Sequence, residues 1–79
     1  MYYAYVLKSE LDNRLYKGLT NNLERRICEH NQGKHKSTTP YRPWKLIYFE
    51  EFQTMAEARK RELYFKSGSG REFIKKNIA

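Results

Sequence analysis

The chain has 79 residues, with 16 Lys or Arg against 9 Asp or Glu and a net charge of +7. A chain of this length buries only about 60–65% of its unfolded surface, which excludes a large core and leaves room for one domain, residues 1–79. Its single cysteine, Cys28, excludes an internal disulfide and a cysteine-built metal cluster, and no apolar run nears the ~18 residues of a membrane span.

Tyr2 to Lys8 is rich in aromatic and branched residues and predicts a strand. Ser9 to Arg14 is polar, and Asp12-Asn13 suits a turn into a second strand, Leu15 to Leu19. The two are expected to pair as an antiparallel hairpin. Gly18 inside a strand pattern marks a close approach of backbone or ligand. Thr20, Asn21 and Asn22 offer N-caps for a helix from about Asn22 to Gln32, with Glu24 in its first turn and Gly33 as its stop. Cys28 on this helix reads as a structural thiol. A polar loop, Lys34 to Pro43, leads into the most apolar stretch, Trp44 to Phe52, which is expected to be a central strand. Thr54 caps a second helix reaching about Lys66. Ser67 to Gly70 breaks it, and a short helix runs from Arg71 to Ile78, with Phe73, Ile74 and Ile78 free to pack back. The order β-β-α-β-α-α predicts an α/β domain with helices covering a three-stranded sheet.

The excess of positive charge points to a polyanionic partner, although charge also serves solubility. A reducing, cytoplasmic setting fits a lone cysteine. On the first helix, Leu23 and Ile27 lie about 40° apart and define the buried stripe; Arg26 and His30 fall within about 60° of Leu23 on the other side. As i,i+4 neighbours they leave the helix side by side, at the border of its buried face. They read either as basic side chains covering apolar surface or as members of a site. On the second helix Met55, Ala58, Glu62 and Phe65 form one stripe, so a carboxylate sits among apolar residues. Glu62 must then be paired, with Arg59 and Lys66 in reach, or hold a cation. Both readings stand. Tyr5 and Tyr16 are rim-of-core tyrosines unless a guanidinium or a metal ion lies beside them.

Together these residues suit phosphodiester hydrolysis. Glu62 offers one carboxylate to a divalent ion, Mg²⁺ or Mn²⁺, that keeps most of its waters. Arg26 is placed to stabilise charge developing on a phosphate, and Tyr5, Tyr16 and His30 to orient or deprotonate water. Backbone phosphate contacts are expected from Lys17, from Lys34 and Lys36 in the loop, and from Arg59, Lys66 and Arg71 in the basic C-terminal stretch.

Tyr3-Ala4-Tyr5 and Tyr16-Lys17-Gly18, followed by Thr20, Asn22-Leu23, Arg26, His30-Asn31 and Gly33, resemble the GIY-YIG nuclease superfamily, in its small stand-alone bacterial form. Ala58 to Leu63 with Lys66 resembles the second-helix motif of that family. The resemblance covers about residues 2–76. It implies an α+β fold, a three-stranded antiparallel sheet flanked by helices, as one nuclease domain. It also implies a one-metal site: Tyr5 as general-base candidate, Tyr16 ordering the attacking water, Arg26 and His30 as catalytic residues, Glu62 as metal ligand, and Gly18 as the glycine admitting the strand to the site. The motif departures are Tyr-Ala for Gly-Ile before Tyr5, Lys17 in place of an aliphatic residue, and Leu19 where some relatives carry lysine. The function so implied is a metal-dependent endonuclease on DNA with low sequence specificity, in DNA repair or processing. The alternative is a non-catalytic nucleic-acid-binding module of the same fold. Both a monomer and a weak homodimer are compatible with the sequence.

Overall fold

The computed structural model describes residues 1–79. Strand β1 (Tyr2–Ser9) runs into β2 (Leu15–Thr20), then helix α1 (Leu23–Asn31), a 3₁₀ turn (Thr39–Tyr41), strand β3 (Trp44–Phe52) and helices α2 (Met55–Lys66) and α3 (Gly68–Asn77). The expected order and the antiparallel three-stranded sheet are both present.

The strand order is β2-β1-β3, so β1 is central and β3 an edge, which corrects the expectation for Trp44 to Phe52. The apolar character of β3 comes from the two helical layers it touches: Ile47, Tyr48 and Phe52 pack on one side, Trp44 and Leu46 on the other. A side chain reports the faces of a sheet; it carries no information on which edge is hydrogen-bonded. Only β1 is buried continuously, from Ala4 to Leu7.

Alternation along β1 divides the core in two. Ala4 and Val6 meet Phe65 of α2 and Ile74 of α3, whereas Tyr5 and Leu7 meet Trp44, with Leu23 and Ile27 of α1 against them. The sheet is therefore the middle layer, with α1 on one face and α2 and α3 on the other.

Local chemistry fixes the element ends. Ser9 is buried, and its hydroxyl donates to the carbonyl of Tyr41 while accepting from the backbone of Leu11 and Asp12. Asn13 takes a positive φ of 66° in the hairpin turn, a conformation asparagine tolerates. Asn22 caps α1 by accepting from Arg25 N–H, and Gly33 follows the helix at φ 81°. Thr54 and Glu57 form a reciprocal capping box on α2.

Three further expectations are corrected. Only Ser67 separates α2 from α3, and Gly68 to Gly70 already belong to α3, because Gly70 packs directly against the end of α2. Met55 is exposed and lies outside the buried stripe, which keeps Ala58, Glu62 and Phe65. Cys28 is exposed, so its thiol is not part of the packed core.

Candidate functional site

Tyr5 pairs with Gly18 across β1 and β2, and its ring lies over the glycine. A Cβ at position 18 would come within 2.4 Å of the phenol Cζ and Oη. The glycine therefore leaves the space that the buried phenol occupies over β2, a reason of space alone, since Gly18 is not among the positive-φ residues.

Behind the phenol stands His30. Both residues are fully buried, and Tyr5 Oη lies 3.1 Å from His30 Nε2. The other ring nitrogen, Nδ1, lies 2.9 Å from Thr38 Oγ1. The Thr38 hydroxyl donates its hydrogen to the carbonyl of His35 at 3.1 Å, so it accepts from Nδ1–H. His30 is thereby the Nδ1–H tautomer, its Nε2 lone pair is free, and Tyr5 is the donor to it. His30 is thus not at the border of the buried face as the helical wheel implied. Two hydrogen bonds satisfy its ring and let it enter the core.

This arrangement sets both pKa values. Burial pushes His30 from 6.5 down to about 4, with His35, tilted against it at 4.5 Å between ring centroids, and Arg26 adding repulsion, against a smaller opposing pull from Glu29. Burial likewise pushes Tyr5 up to about 12, opposed by Arg26 and reinforced by Tyr16 and Glu62. Between pH 6.5 and about 4 the unfolded chain binds a proton that folded His30 refuses. Stability is therefore flat above neutrality and falls as pH drops through that window. Denaturant unfolding near pH 7.5 and about pH 5 should differ by ~2 kcal/mol from this group. Imidazole NMR should show His30 still neutral at the lower pH; a ring titrating near its ordinary value would contradict the buried tautomer.

Arg26 leaves α1 part-buried, its Nη1 3.5 Å from Glu29 Oε1 and its Nε buried with no hydrogen-bond partner. Burial acts to lower the pKa of its guanidinium, but Tyr5, Tyr16 and Glu29 raise it overall. Tyr16 packs edge-on against His30 at 4.8 Å and lies 6.3 Å from Tyr5, between ring centroids. From the opposite face comes Glu62, 8% exposed. Its Oε2 is 3.0 Å from Lys66 Nζ and its Oε1 3.8 Å from Arg59 Nε, yet Oε1 is buried without a hydrogen bond. Pairing with Arg59 and Lys66 is therefore real but leaves one oxygen open. Glu62 is close enough to raise the pKa of Tyr5, so α1 and α2 send their charged groups toward one phenol from either side of β2.

The other basic residues divide. Lys17 and Arg71 line one groove between β2 and α3, and Lys66 acts electrostatically on Lys17. Lys34 and Lys36 are exposed on the loop after α1, on the stretch that also carries His35 and Thr38. Thr38 is the residue that sequence reasoning missed. Its only signal was a hydroxyl eight positions after His30 in a polar loop. The loop is tied down by Asn31, whose side chain bonds both the N–H and the C=O of Trp44, and by Trp44 Nε1, which donates to the Thr38 carbonyl.

With that geometry established, similarity to known proteins decides the family. The profile of the GIY-YIG catalytic domain matches residues 1–77. The chain belongs to the GIY-YIG family. Among similar proteins, a UPF0213 protein of Clostridium perfringens is 51% identical over 67 residues, covering 84% of this chain and 71% of the relative. A UPF0213 protein of Staphylococcus haemolyticus is 43% identical over 75 residues, covering 94% and 90%. The solution NMR structure of a UPF0213 protein from Bacillus halodurans is similar with a TM-score of 0.55 and 32% identity, covering 94% of this chain and 82% of that one. GIY-YIG domains form a nuclease family, so nucleic acid is the substrate class of the family. The GIY-YIG match spans Tyr5, Tyr16, Gly18, Arg26, His30 and Glu62. No helix is long and apolar enough to cross a membrane.

Proposed function

We propose that this chain is a divalent-metal-dependent endonuclease that hydrolyses DNA phosphodiester bonds with low sequence specificity, in DNA repair or processing. One observation carries the reading: a buried phenol bonded to a neutral, tautomer-locked imidazole, with a guanidinium and a partly unpartnered carboxylate acting on it from either side.

The carboxylate passes a chemical test of fit. No group of three or more His, Cys, Asp or Glu side chains forms a cage, so a structural zinc site is not built here. A single carboxylate with one open oxygen is the donor set that Mg²⁺ or Mn²⁺, retaining most of its waters, accepts. Glu62 is the residue that would hold it. A divalent ion held there would supply a Lewis acid for the phosphate and would lower the pKa of a bound water.

The remaining work falls to the chain's own groups. Because the Tyr5 hydrogen is committed to His30, the phenol oxygen keeps its lone pairs for a water hydrogen. Tyr5 thereby orients the water. As the water attacks phosphorus, Tyr5 takes its proton and passes its own to His30 Nε2, while Nδ1–H stays on Thr38. Arg26 favours the phenolate and places donors on the phosphate oxygens where charge develops. Tyr16 packs against the imidazole and holds it edge-on. Lys34, Lys36 and Arg59 add phosphate-directed charge around this centre.

A panel of single-stranded, duplex, flapped and branched DNA, incubated with Mg²⁺ or Mn²⁺, tests the proposal. Nicking of at least one topology is expected, and EDTA should stop it. If no topology is cut with either ion, the endonuclease reading fails and the chain is a binding module.

A further inference from the structure

On the face of the sheet away from Tyr5, β2 and α3 enclose a groove of about 370 Å³. Leu15 and Ile74 contribute its apolar lining, Lys17, Arg71 and Lys75 its free charges, and no acidic side chain lines it. Arg14 also borders it, but its guanidinium is held by Asp12 at 2.8 Å. By contrast, Lys17, Arg71 and Lys75 make no ion pair anywhere in the molecule. Lys17 is half-buried, and its charge is disfavoured first by that burial and then by Arg71 and Lys66. A fold does not gather like charges around a partly desolvated lysine for stability, since each contact costs free energy until an anion arrives.

Positive charge also links the groove to the candidate centre. Lys66 pairs with Glu62 at one end and acts on Lys17 at the other, so positive charge runs from the open carboxylate to α3. The Lys17 side chain points to the groove because its strand neighbours Tyr16 and Gly18 point to the phenol.

We propose that this groove holds the phosphodiester backbone flanking the scissile bond, so that DNA is held at two places: at the phenol on one side of β2 and along α3 on the other. The inference rests on the nucleic-acid reading above, but it can fail separately. Three phosphates neutralised by Lys17, Arg71 and Lys75 set the expected size of the effect. In metal-free fluorescence anisotropy with a 20-base-pair duplex, the slope of log K against log salt should flatten by about 2.7 in a Lys17→Gln/Arg71→Gln/Lys75→Gln variant, at ~0.9 per phosphate. A charge-matched control, Lys45→Gln/Lys60→Gln/Lys76→Gln, removes the same charge elsewhere and should flatten it by less than about 1. Circular dichroism melting checks that both variants are folded. If the two variants change the slope equally, the charge acts only in bulk and the groove is not a binding site, whether or not the wild type cleaves DNA. If the wild type does not bind DNA at all, both this inference and the nuclease reading are overturned. A groove variant with a flattened slope, from a parent that never cuts, would establish the groove and refute the nuclease.

Discussion

Glu62→Gln is expected to lower divalent-dependent cleavage by ~10³-fold or more while the protein stays folded. The substitution keeps shape and removes the charge that would attract the ion. What it leaves behind can reorganise: Lys66 and Arg59 have side chains 52% and 63% exposed, so both can return to water. Exposed partners of this kind contribute within ~1 kcal/mol to stability, and the melting temperature should move by only a few degrees. Titration with Mn²⁺ monitored by electron paramagnetic resonance should lose its site in the same variant. Arg26→Ala should match the loss of rate by ~10²–10³-fold without losing the Mn²⁺ site, because its role lies in phosphate charge and phenol ionisation. Retention of cleavage within tenfold of wild type in Glu62→Gln would show that the open carboxylate oxygen has no part in the reaction.

Gly70→Ala is expected to destabilise the fold more than any other single methyl addition at a glycine of this chain. A Cβ at 70 would lie 1.7 Å from the Tyr64 carbonyl oxygen, 2.5 Å from its carbon and 2.7 Å from Phe65 Cα. These are backbone atoms of α2, which cannot rotate aside as a side chain can. The only relief is for α3 to move off α2, which withdraws Ile74 and Phe73 from the cluster around Phe65. Overpacking of this kind costs ~3 kcal/mol or more, a large share of the ~5–15 kcal/mol available to a domain. A fall in melting temperature of ~12–24 °C follows. Gly68→Ala is the control, since nothing lies within 4 Å of its Cβ, and it should be neutral or slightly stabilising. Equal melting temperatures for the two variants would refute the close-contact argument.

How much was legible in the sequence differs by kind of information. Periodicity and caps located β1, β2, α1, β3 and α2, because those signals are local: Asn22, Gly33 and Thr54 act on their own neighbours. The position of β3 in the sheet was not legible, because apolar faces say nothing of strand order. Glu62 was visible as an anomaly in an apolar stripe, and the structure leaves it both paired and partly open. His30 was visible as chemistry but misplaced, since its burial depends on Thr38, and Thr38 is positioned by a loop pinned through Asn31 and Trp44. Gly70 looked like part of a breaker run, although what demands a glycine there is the packing of α3 against the last turn of the preceding helix, α2. The misses share one cause: each depends on a contact between segments that no local rule describes.

The alternation along β1 has an evolutionary consequence. Its odd positions Tyr5 and Leu7 face α1, and Tyr5 carries the reagent, whereas its even positions, Ala4 and Val6, face α2 and α3 and carry only mass. A deletion or insertion of one residue in this strand exchanges the two sets at once, placing an aliphatic chain over Gly18 and a phenol against Phe65. Only a bulge, such as the one by which β3 fits Ile47 between the partners of Val6 and Leu7, absorbs a single residue without that exchange. Without a new bulge, length change in β1 is forbidden in steps of one, while the even positions remain free to drift in size so long as their summed volume is kept, and a lineage can retune its melting point there without touching its chemistry.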